Sequence, residues 1–279
     1  MLQALIFDVD GTLADTERVH LEAFNHAFAE EGLDWHWDEP TYIRLLEVSG
    51  GKERLRRWWM QQRPDTRELD AGAVQQTLDR LHDIKTAYYE SAVLDGRVQL
   101  RPGVLELIEQ AASEGLRLAI ATTTSPVNIA ALLRPVMGPD WRLRFDAIGD
   151  GSSSPVKKPH PQVYQQVLRD LGLPASACVA FEDSRNGLLA ARAAGLATVI
   201  TPTAFTAHHR FDGALRVLPD LEGVTVDDLR HWRLPQRGGL RPATPRLVAR
   251  SPAPGRQPAG LSSGVSCSTS KGSPRSSTK

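Results

Sequence analysis

Short apolar runs alternate with helical patterns along most of the chain. The runs are typical of buried parallel strands, and they cover Ala4–Val9, Leu116–Ala121, Cys178–Phe181 and Leu196–Ile200, with a weaker run at Phe145–Ile148. The helical patterns that lie between them each close at a glycine, and they begin at Pro102, His160 and Arg185. This alternation predicts an α/β fold with a doubly wound parallel sheet.

The stretch from residue 17 to residue 94 breaks the alternation. It contains helical patterns and no convincing strand, and Gly50 and Gly51 are its main interruption. We expect these residues to form a helical cap domain that is inserted after the first strand. Residues 1–16 and 95–235 would then form the α/β core.

The composition changes after Leu234. Residues 236–279 contain six Arg and two Lys but no Asp or Glu, and they are rich in Pro, Gly and Ser. Such a segment cannot bury enough apolar surface to offset the entropy of ordering, so we expect a disordered basic tail. The formal net charge of the whole chain is +0. The remaining residues are therefore acidic, which gives no support to nucleic-acid binding by the body.

The cysteine count and the hydropathy of the sequence indicate the cellular compartment in which the protein works. Cys178 and Cys267 are the two cysteines, too few for a disulfide framework or a zinc site. The amino-terminal residues lack the basic and long apolar regions of a secretory signal. No apolar run approaches the roughly 20 residues that a membrane-spanning helix needs. We therefore expect a cytoplasmic protein without membrane or nucleic-acid partners, and we take it to be a monomer.

The strongest chemical signal follows the first strand, where Asp8 and Asp10 flank one valine and Gly11 comes next. Residues two apart on a strand face the same way. Both carboxylates can thus converge beyond the carboxyl end of the strand, where ligands bind in open α/β sheets. Gly11 permits a sharp turn there. The ordinary structural explanation is a strand-ending turn with solvated aspartates.

A second pair of carboxylates, Glu182 and Asp183, follows the strand Cys178–Phe181 in the same manner. Carboxylates gathered at one edge of a sheet repel one another, and a bound cation would relieve that repulsion. Ligands that are all oxygen favour a hard ion such as Mg²⁺. The alternative explanation is that Asp183 or Ser184 caps the next helix, and the two roles are compatible.

Three threonines, Thr122, Thr123 and Thr124, follow the strand Leu116–Ala121. A hydroxyl and free backbone N–H groups at a strand-to-helix junction can bind an oxyanion. The alternative is that they only cap the next helix.

Two lysines precede the helix His160–Leu171, and Pro159 is expected to fix its start. Lys158 beside several carboxylates would neutralise a phosphoryl group and the charge on its acceptor. The alternative for Lys157 and Lys158 is a pair of surface lysines.

The order of these motifs is specific. DxDGT, TT, KKP and ED, each at a strand end, resemble the four-part signature of the haloacid dehalogenase-like hydrolases over about residues 1–220. The insertion resembles the helical cap of the subgroup that includes β-phosphoglucomutase. Closer still, the chain resembles the CbbY-type phosphatases in the segments Ala14–Glu17, Ser49–Arg54, Ala121–Ser125, Lys157–Pro159 and Glu182–Gly187.

The resemblance implies a Mg²⁺-dependent phosphatase for a small phosphorylated sugar. It assigns Asp8 as the nucleophile and Asp10 as the general acid and base. A carboxylate with the ordinary pKa of about 3.9 is ionised at neutral pH and needs no separate base. CbbY-type enzymes act on xylulose 1,5-bisphosphate, a misfire product of Rubisco, which points to carbohydrate metabolism beside the Calvin cycle.

The resemblance also implies how the remaining core residues contribute. Mg²⁺ would contact the Asp8 carboxylate, the backbone carbonyl of Asp10 and Asp183, with Glu182 acting through water. The phosphoryl oxygens would be held by Thr122, Thr123 and Thr124, together with Lys158.

The cap is expected to select the substrate. Gly51 lets a loop approach closely, and Lys52 and Arg54 would bind the far phosphate of a bisphosphate. Glu17 and His20 would contact sugar hydroxyls. The ordinary explanation for Lys52 and Arg54 is a solvated helix face. One segment departs from the family pattern, since GDGSSSPV precedes the lysines where a sequence closer to GDDV is expected.

Two other functions stay open at this point. A sugar phosphomutase would share every core residue and differ in how long the phosphorylated Asp8 resists water. A phospho-receiver domain also combines an Asp at a strand end with a hydroxyl, a Lys and paired acids. Asp10 and the helical insertion argue against a receiver. A nucleotide-binding dehydrogenase is disfavoured because no G-x-G-x-x-G follows the first strand.

Overall fold

The computed structural model describes residues 1–62 and 71–234. The predicted tail, residues 236–279, lies outside these ranges, so its disorder stays a prediction. The strands are β1 Ala4–Phe7, β2 Arg117–Ala121, β3 Ala147–Gly149, β4 Cys178–Glu182, β5 Ala197–Ile200 and β6 Arg216–Val217. The helices are α1 Glu17–Glu30, α2 Glu39–Leu45, α3 Gly51–Gln62, α4 Ala71–Leu94, α5 Val104–Ser113, α6 Pro126–Met137, α7 Gln162–Leu171, α8 Arg185–Ala193 and α9 Val226–Trp232.

The six strands form one parallel sheet in the order β3-β2-β1-β4-β5-β6. Apolar side chains of the strands enter two separate clusters, one on each face of the sheet, which explains why the strands read as nearly continuous apolar runs. The prediction of a doubly wound α/β fold is confirmed. Because β1 pairs with both β2 and β4, the polar residues that follow these three strands meet at one edge.

Some predicted boundaries are wrong. The edge strand β6 was not predicted, because its two half-buried residues make no apolar run. Pro102 does not open a helix, since the N-cap of α5 is Gly103, which has a φ of +77°. Pro159 does not start α7, which begins at Gln162 after Pro161. Lys158 is therefore held by its own contacts and not by the start of a helix.

Helices α1–α4 share an apolar cluster that is separate from the two clusters on the sheet, and Phe205 of the core also packs into it. Aromatic side chains dominate it, including Phe24, Phe28, Trp37 and Tyr42, which are almost fully buried. Leu55 on α3 and Leu81 on α4 complete the packing. The division into core and cap at residues 17 and 94 stays a prediction.

None of the described helices is both long enough and apolar enough to cross a bilayer.

Candidate active site

Asp8 lies directly after β1, and its side chain is buried at the edge of the sheet. The ammonium of Lys158 donates to Asp8 Oδ1 at 2.6 Å, to Glu182 Oε1 at 2.6 Å and to the carbonyl of Ala121 at 2.9 Å. Burial alone would lower the pKa of Lys158, but the charges of Asp8 and Glu182 raise it above its usual value. One charged lysine thus joins the ends of β1, β2 and β4, and it is not a surface lysine.

The pKa of the Asp8 carboxyl differs from the sequence-based expectation. Burial, together with the charges of Glu182 and Asp10, raises the pKa to about 7 against the opposing effect of Lys158. The expectation of an ordinary carboxyl is therefore wrong for the protein chain by itself. A cation at this position would favour the ionised form.

Asp8, Glu182 and Asp183 form the candidate metal site. One carboxylate oxygen from each lies within 4.8 Å of the others, and all three side chains are buried. Burial and the charges of the other two carboxylates raise the pKa of Asp183 well above its usual value. Buried oxygen donors that repel one another suit a hard divalent cation, so the residues present fit Mg²⁺.

Glu182 has less freedom than the other two carboxylates. Its Oε1 accepts hydrogen bonds from Lys158 and from the hydroxyl of Tyr164, each at 2.6 Å. Gly187 packs so closely on this side chain that a Cβ there would lie 1.8 Å from Glu182 Oε2. An acid that is already hydrogen-bonded in this way fits its expected contribution through water. The helix cap beside it is Ser184, whose hydroxyl accepts from the backbone N–H of Gly187.

The carboxylate of Asp10 has different partners from that of Asp8. Its Oδ1 accepts from Thr16 Oγ1 at 2.7 Å and lies 2.9 Å from His20 Nε2. Burial would raise the pKa of Asp10, but His20 and the two hydrogen bonds lower it below its usual range. The side chain of Asp10 is not part of the carboxylate cluster, and the expected metal contact of its backbone carbonyl stays a prediction.

The three threonines line the pocket above these acids and do not cap a helix. Ser125 caps α6, since its hydroxyl accepts from the backbone N–H of Asn128 at 3.3 Å. Thr122 is buried, and its Oγ1 accepts from the backbone N–H of Thr124 at 3.3 Å. The plain-cap alternative is therefore wrong for Thr122, Thr123 and Thr124, and oxyanion binding stays a prediction.

Lys157 and the unusual loop before it stabilise each other. The ammonium of Lys157 donates to the carbonyl of Gly151 at 2.5 Å, and Asp150 Oδ1 accepts from the backbone N–H groups of Ser152 and Ser153. The GDGSSSPV segment thus closes a compact turn on its own side chains. The two neighbouring lysines consequently have separate partners, one in the loop and one among the acids.

Two predicted cap residues reach the pocket through a buried polar chain. Tyr42 donates to Glu17 Oε2 at 2.7 Å, and Arg54 donates to the hydroxyl of Tyr42 at 3.0 Å. Arg54 also donates to the carbonyls of Leu45 and Val48, and its side chain is buried. The solvated-face explanation is therefore wrong for Arg54. Tyr42 was not predicted, although it carries the link between the two charges.

Lys52 lies elsewhere. Its ammonium is half-exposed and pairs with Asp79 Oδ1 at 2.6 Å. The pocket is lined by every predicted site residue except Lys52, Gly51 included. The structure thus brings together the predicted core residues, Glu17, His20, Gly51 and Arg54, and leaves Lys52 on the outer side of α3.

Lys85 is the main site residue that the sequence reasoning missed. It is buried on α4, and its ammonium lies 2.8 Å from His20 Nδ1. An ammonium can only donate, so neutral His20 carries its proton on Nε2 and donates to Asp10. Leu81 and Tyr89, four residues to either side, belong to the buried face of α4. A lysine within an apolar stripe of a helix is the sequence signal that could have identified Lys85 as a buried site residue.

The mouth of the pocket is also made by residues that carried no predicted role. The Asn186 side chain donates to the carbonyl of Glu47 at 3.0 Å and to Ser49 Oγ at 3.2 Å. His209 Nε2 lies 3.6 Å from Glu47 Oε1. The segment between α2 and α3 therefore touches the α/β core at this mouth.

Comparison with known proteins agrees with this arrangement. Residues 2–195 match the sequence profile of the haloacid dehalogenase-like hydrolases. The plasmid CbbY protein of Cupriavidus necator is 58% identical over 220 residues, which cover 79% of this chain and 86% of the relative. The chain belongs to the haloacid dehalogenase-like hydrolases, in the CbbY group.

Solved structures of the CbbY group share the fold. CbbY from Rhodobacter sphaeroides in complex with phosphate has a TM-score of 0.74 at 40% identity, covering 82% of this chain and 100% of that chain. A mutant of the same protein in complex with xylulose-(1,5)bisphosphate also has a TM-score of 0.74, at 41% identity, covering 82% and 99%. The predicted family, fold and enzyme class, a phosphoric monoester hydrolase, are confirmed.

Proposed function

We propose that this CbbY-group hydrolase is a Mg²⁺-dependent sugar-bisphosphate phosphatase that acts on xylulose 1,5-bisphosphate through an aspartyl-phosphate on Asp8. The observation that carries the proposal is the pair of aspartates at the end of β1. Asp8 contacts Lys158 in the acid cluster, and Asp10 is held separately by Thr16 and His20. The substrate follows from the bisphosphate complex of the similar CbbY protein.

The first step transfers the phosphoryl group to the enzyme. The ionised Asp8 carboxylate attacks phosphorus, the bond from phosphorus to the sugar oxygen breaks, and the carboxyl of Asp10 gives its proton to that oxygen. Approach of a phosphate dianion raises the pKa of a neighbouring carboxyl by like-charge repulsion. With a raised pKa, Asp10 takes up a proton from solvent as the substrate binds, and it can then act as the general acid.

The second step releases phosphate. Water attacks the phosphorus of phospho-Asp8, Asp10 takes a proton from that water, and the bond from phosphorus to the Asp8 oxygen breaks. The contacts of Asp10 support its role as the base, because hydrogen bonds from Thr16 and His20 hold it as a positioned carboxylate. Asp8 is regenerated as a carboxylate beside Lys158.

Mg²⁺ would be held by Asp8, by Asp183 and by the backbone carbonyl of Asp10, with Glu182 contributing through water. When bound, Mg²⁺ would screen the phosphoryl oxygens from the carboxylates, and it would stabilise the negative charge on those oxygens during phosphoryl transfer. Lys158 adds a fixed positive charge, and Thr122, Thr123 and Thr124 offer hydroxyl and N–H donors to the phosphoryl group.

The far phosphate of the bisphosphate would lie toward the cap. Arg54 lines the pocket with its charged group among Tyr42 and two carbonyls, so of the two predicted cap cations it is the one placed to attract that phosphate. Glu17 and His20 would accept or donate hydrogen bonds to sugar hydroxyls. Lys52 could contribute only if its pair with Asp79 opened, and its role stays a prediction.

A phosphate-release screen tests the proposal. The full chain would be incubated with xylulose 1,5-bisphosphate, other sugar bisphosphates and sugar monophosphates, with MgCl₂ or with EDTA. We expect Mg²⁺-dependent phosphate release that is fastest with xylulose 1,5-bisphosphate. Formation of an isomeric sugar phosphate without release would favour the mutase alternative. A stable phosphoprotein without turnover would favour the receiver alternative. Location in the cytoplasm and the monomeric state stay predictions.

A further inference from the structure

Arg101 is a half-buried arginine between α4 and α5, and its guanidinium donates hydrogen bonds to backbone carbonyls and one hydroxyl of the described residues. It donates to the carbonyl of Gly11, to the carbonyl and Oγ1 of Thr201 at 2.5 and 3.2 Å, and to the carbonyls of Pro202 and Pro219 at 3.2 and 2.8 Å. These acceptors belong to three different loops. The fixed fork of a guanidinium can serve several carbonyls at once, which a lysine cannot do.

One of these loops carries the proposed nucleophile. Gly11 has a φ of +80° and turns the chain immediately after Asp10. The backbone N–H of Arg101 also donates to the carbonyl of Leu13 at 2.8 Å, so residue 101 holds this turn at two points. The turn packs directly on a proposed metal ligand, since a Cβ at Gly11 would lie 2.4 Å from Asp183 Oδ2.

The second loop follows β5 and contacts the same proposed metal ligand, Asp183. The backbone N–H of Thr201 donates to the carbonyl of Glu182 at 2.8 Å. Five residues later, Thr206 Oγ1 donates to Asp183 Oδ2 at 3.2 Å. Arg101 therefore contacts the loop that follows Asp8 and the loop that hydrogen-bonds Asp183, although it touches neither carboxylate.

We propose that Arg101 is a positioning residue that fixes the separation of Asp8 and Asp183, and through it the affinity of the site for Mg²⁺. The inference rests on the proposed function only in taking these acids as the metal site. Groups that orient metal ligands without touching the metal typically change affinity or activity by roughly 10- to 100-fold when they are removed. An arginine that only stabilised the fold would lower the melting temperature and leave Mg²⁺ affinity unchanged.

The experiment is isothermal titration of MgCl₂ into the full chain, without substrate, with the melting temperature measured in parallel. Arg101→Met removes all the donors, and Arg101→Lys keeps the charge but loses the fork. Arg233→Met is the matched control, because Arg233 also donates to a backbone carbonyl, that of Ser176. Ser176 precedes β4 and therefore lies at the opposite edge of the sheet from the acids.

We expect Mg²⁺ to bind Arg101→Met roughly 10- to 100-fold more weakly than the wild type, Arg101→Lys to lie between them, and Arg233→Met to match the wild type. Wild-type affinity in both Arg101 variants would overturn the inference, whatever their melting temperatures. If Arg101→Met does not fold, Arg101→Lys decides in the same way. Wild-type Mg²⁺ binding without hydrolysis of xylulose 1,5-bisphosphate would contradict the proposed substrate and leave the inference about Arg101 standing.

Discussion

Asp8 and Asp10 are two residues apart and have opposite electrostatic surroundings. Burial among other carboxylates raises the pKa of Asp8, whereas His20 and Thr16 lower the pKa of Asp10 despite its burial. In pairs of acids whose environments separate their pKa values, the acid with the raised pKa commonly donates the proton. The proposed roles therefore require bound Mg²⁺ and phosphate to reverse the order that the protein chain has by itself. The local sequence shows the pair, but His20 and Glu182, which separate their pKa values, come from other parts of the chain.

Asp8→Asn is expected to abolish turnover and leave the fold intact. The amide has the same size as the carboxylate, and its oxygen can still accept a hydrogen bond from Lys158. It is not a nucleophile, so it cannot form the phosphoenzyme. Phosphate release from a sugar bisphosphate measures the effect, and far-ultraviolet circular dichroism checks the fold. Retention of more than a few per cent of the activity would rule out Asp8 as the nucleophile.

Asp10→Ala should leave the nucleophile in place and remove proton transfer. Help of this kind is worth roughly 10²- to 10⁴-fold in rate, so we expect a loss within that range for sugar phosphates. Burst kinetics would show whether the phosphoenzyme accumulates. Hydrolysis at the wild-type rate would revive the receiver-like alternative.

Lys85 gives the site an expected alkaline limit. Burial lowers the pKa of Lys85 to about 8, against the attraction of Asp10. Below that pH the ammonium fixes the tautomer of His20, and above it the positive charge beside His20 and Asp10 is lost. We expect kcat to fall as the pH rises through about 8.

The pH profile of variants at position 85 checks this assignment. Lys85→Arg stays charged, so its alkaline limb should move to higher pH. Lys85→Met should be slow at every pH, because His20 loses its partner at Nδ1. A Lys85→Met enzyme with the wild-type alkaline limb would assign that limb to another group.

At the scale of elements, the sequence predicts the five longer strands well and the polar contacts between elements poorly. Buried strands of a parallel sheet are marked by their apolar runs, and Asp8, Thr122 and Asp183 follow them directly. The edge strand β6 has no such run. Tyr42 and Lys85 reach the site only through the packing of α2 and α4 on α1, which no local pattern encodes.

Helix α3 offers a matched pair of charges for testing the cap. Arg54 is buried in the pocket wall and Lys52 faces outward to Asp79. Loss of a charge-assisted contact to a phosphate costs about 1.5–3 kcal/mol, or roughly tenfold to a hundredfold. We expect Arg54→Ala to lose this much in kcat/KM for xylulose 1,5-bisphosphate, and Lys52→Ala to lose less.

Hydrolysis of p-nitrophenyl phosphate is the control for both variants, since this ester has no far phosphate. It should change little in either one. Equal losses on both substrates in Arg54→Ala would indicate damage to the packing around Tyr42. A larger loss of kcat/KM for the bisphosphate in Lys52→Ala than in Arg54→Ala would contradict this prediction. It would show that Lys52 leaves Asp79 and contacts the substrate when the substrate is bound.

At the scale of the whole molecule, the carboxyl-terminal 236–279 segment is expected to be dispensable. Its composition cannot build a core, and the predicted site residues all precede it. A chain truncated after Pro235 should keep its kcat and its melting temperature. Failure of the truncated chain to fold would show that the segment packs against the rest of the protein.

The contacts of Asn186 with Glu47 and Ser49 have a consequence for the pace of turnover. We expect the two walls that touch at the mouth of the pocket to separate before sugar and phosphate leave, so that this opening sets the rate of product release. Opening and product release commonly limit well-evolved enzymes. Raising the solvent viscosity with sucrose should then slow kcat in the wild type, and slow it less in Asn186→Ala, where the walls separate more readily. A kcat indifferent to viscosity in both would assign the limit to bond breaking.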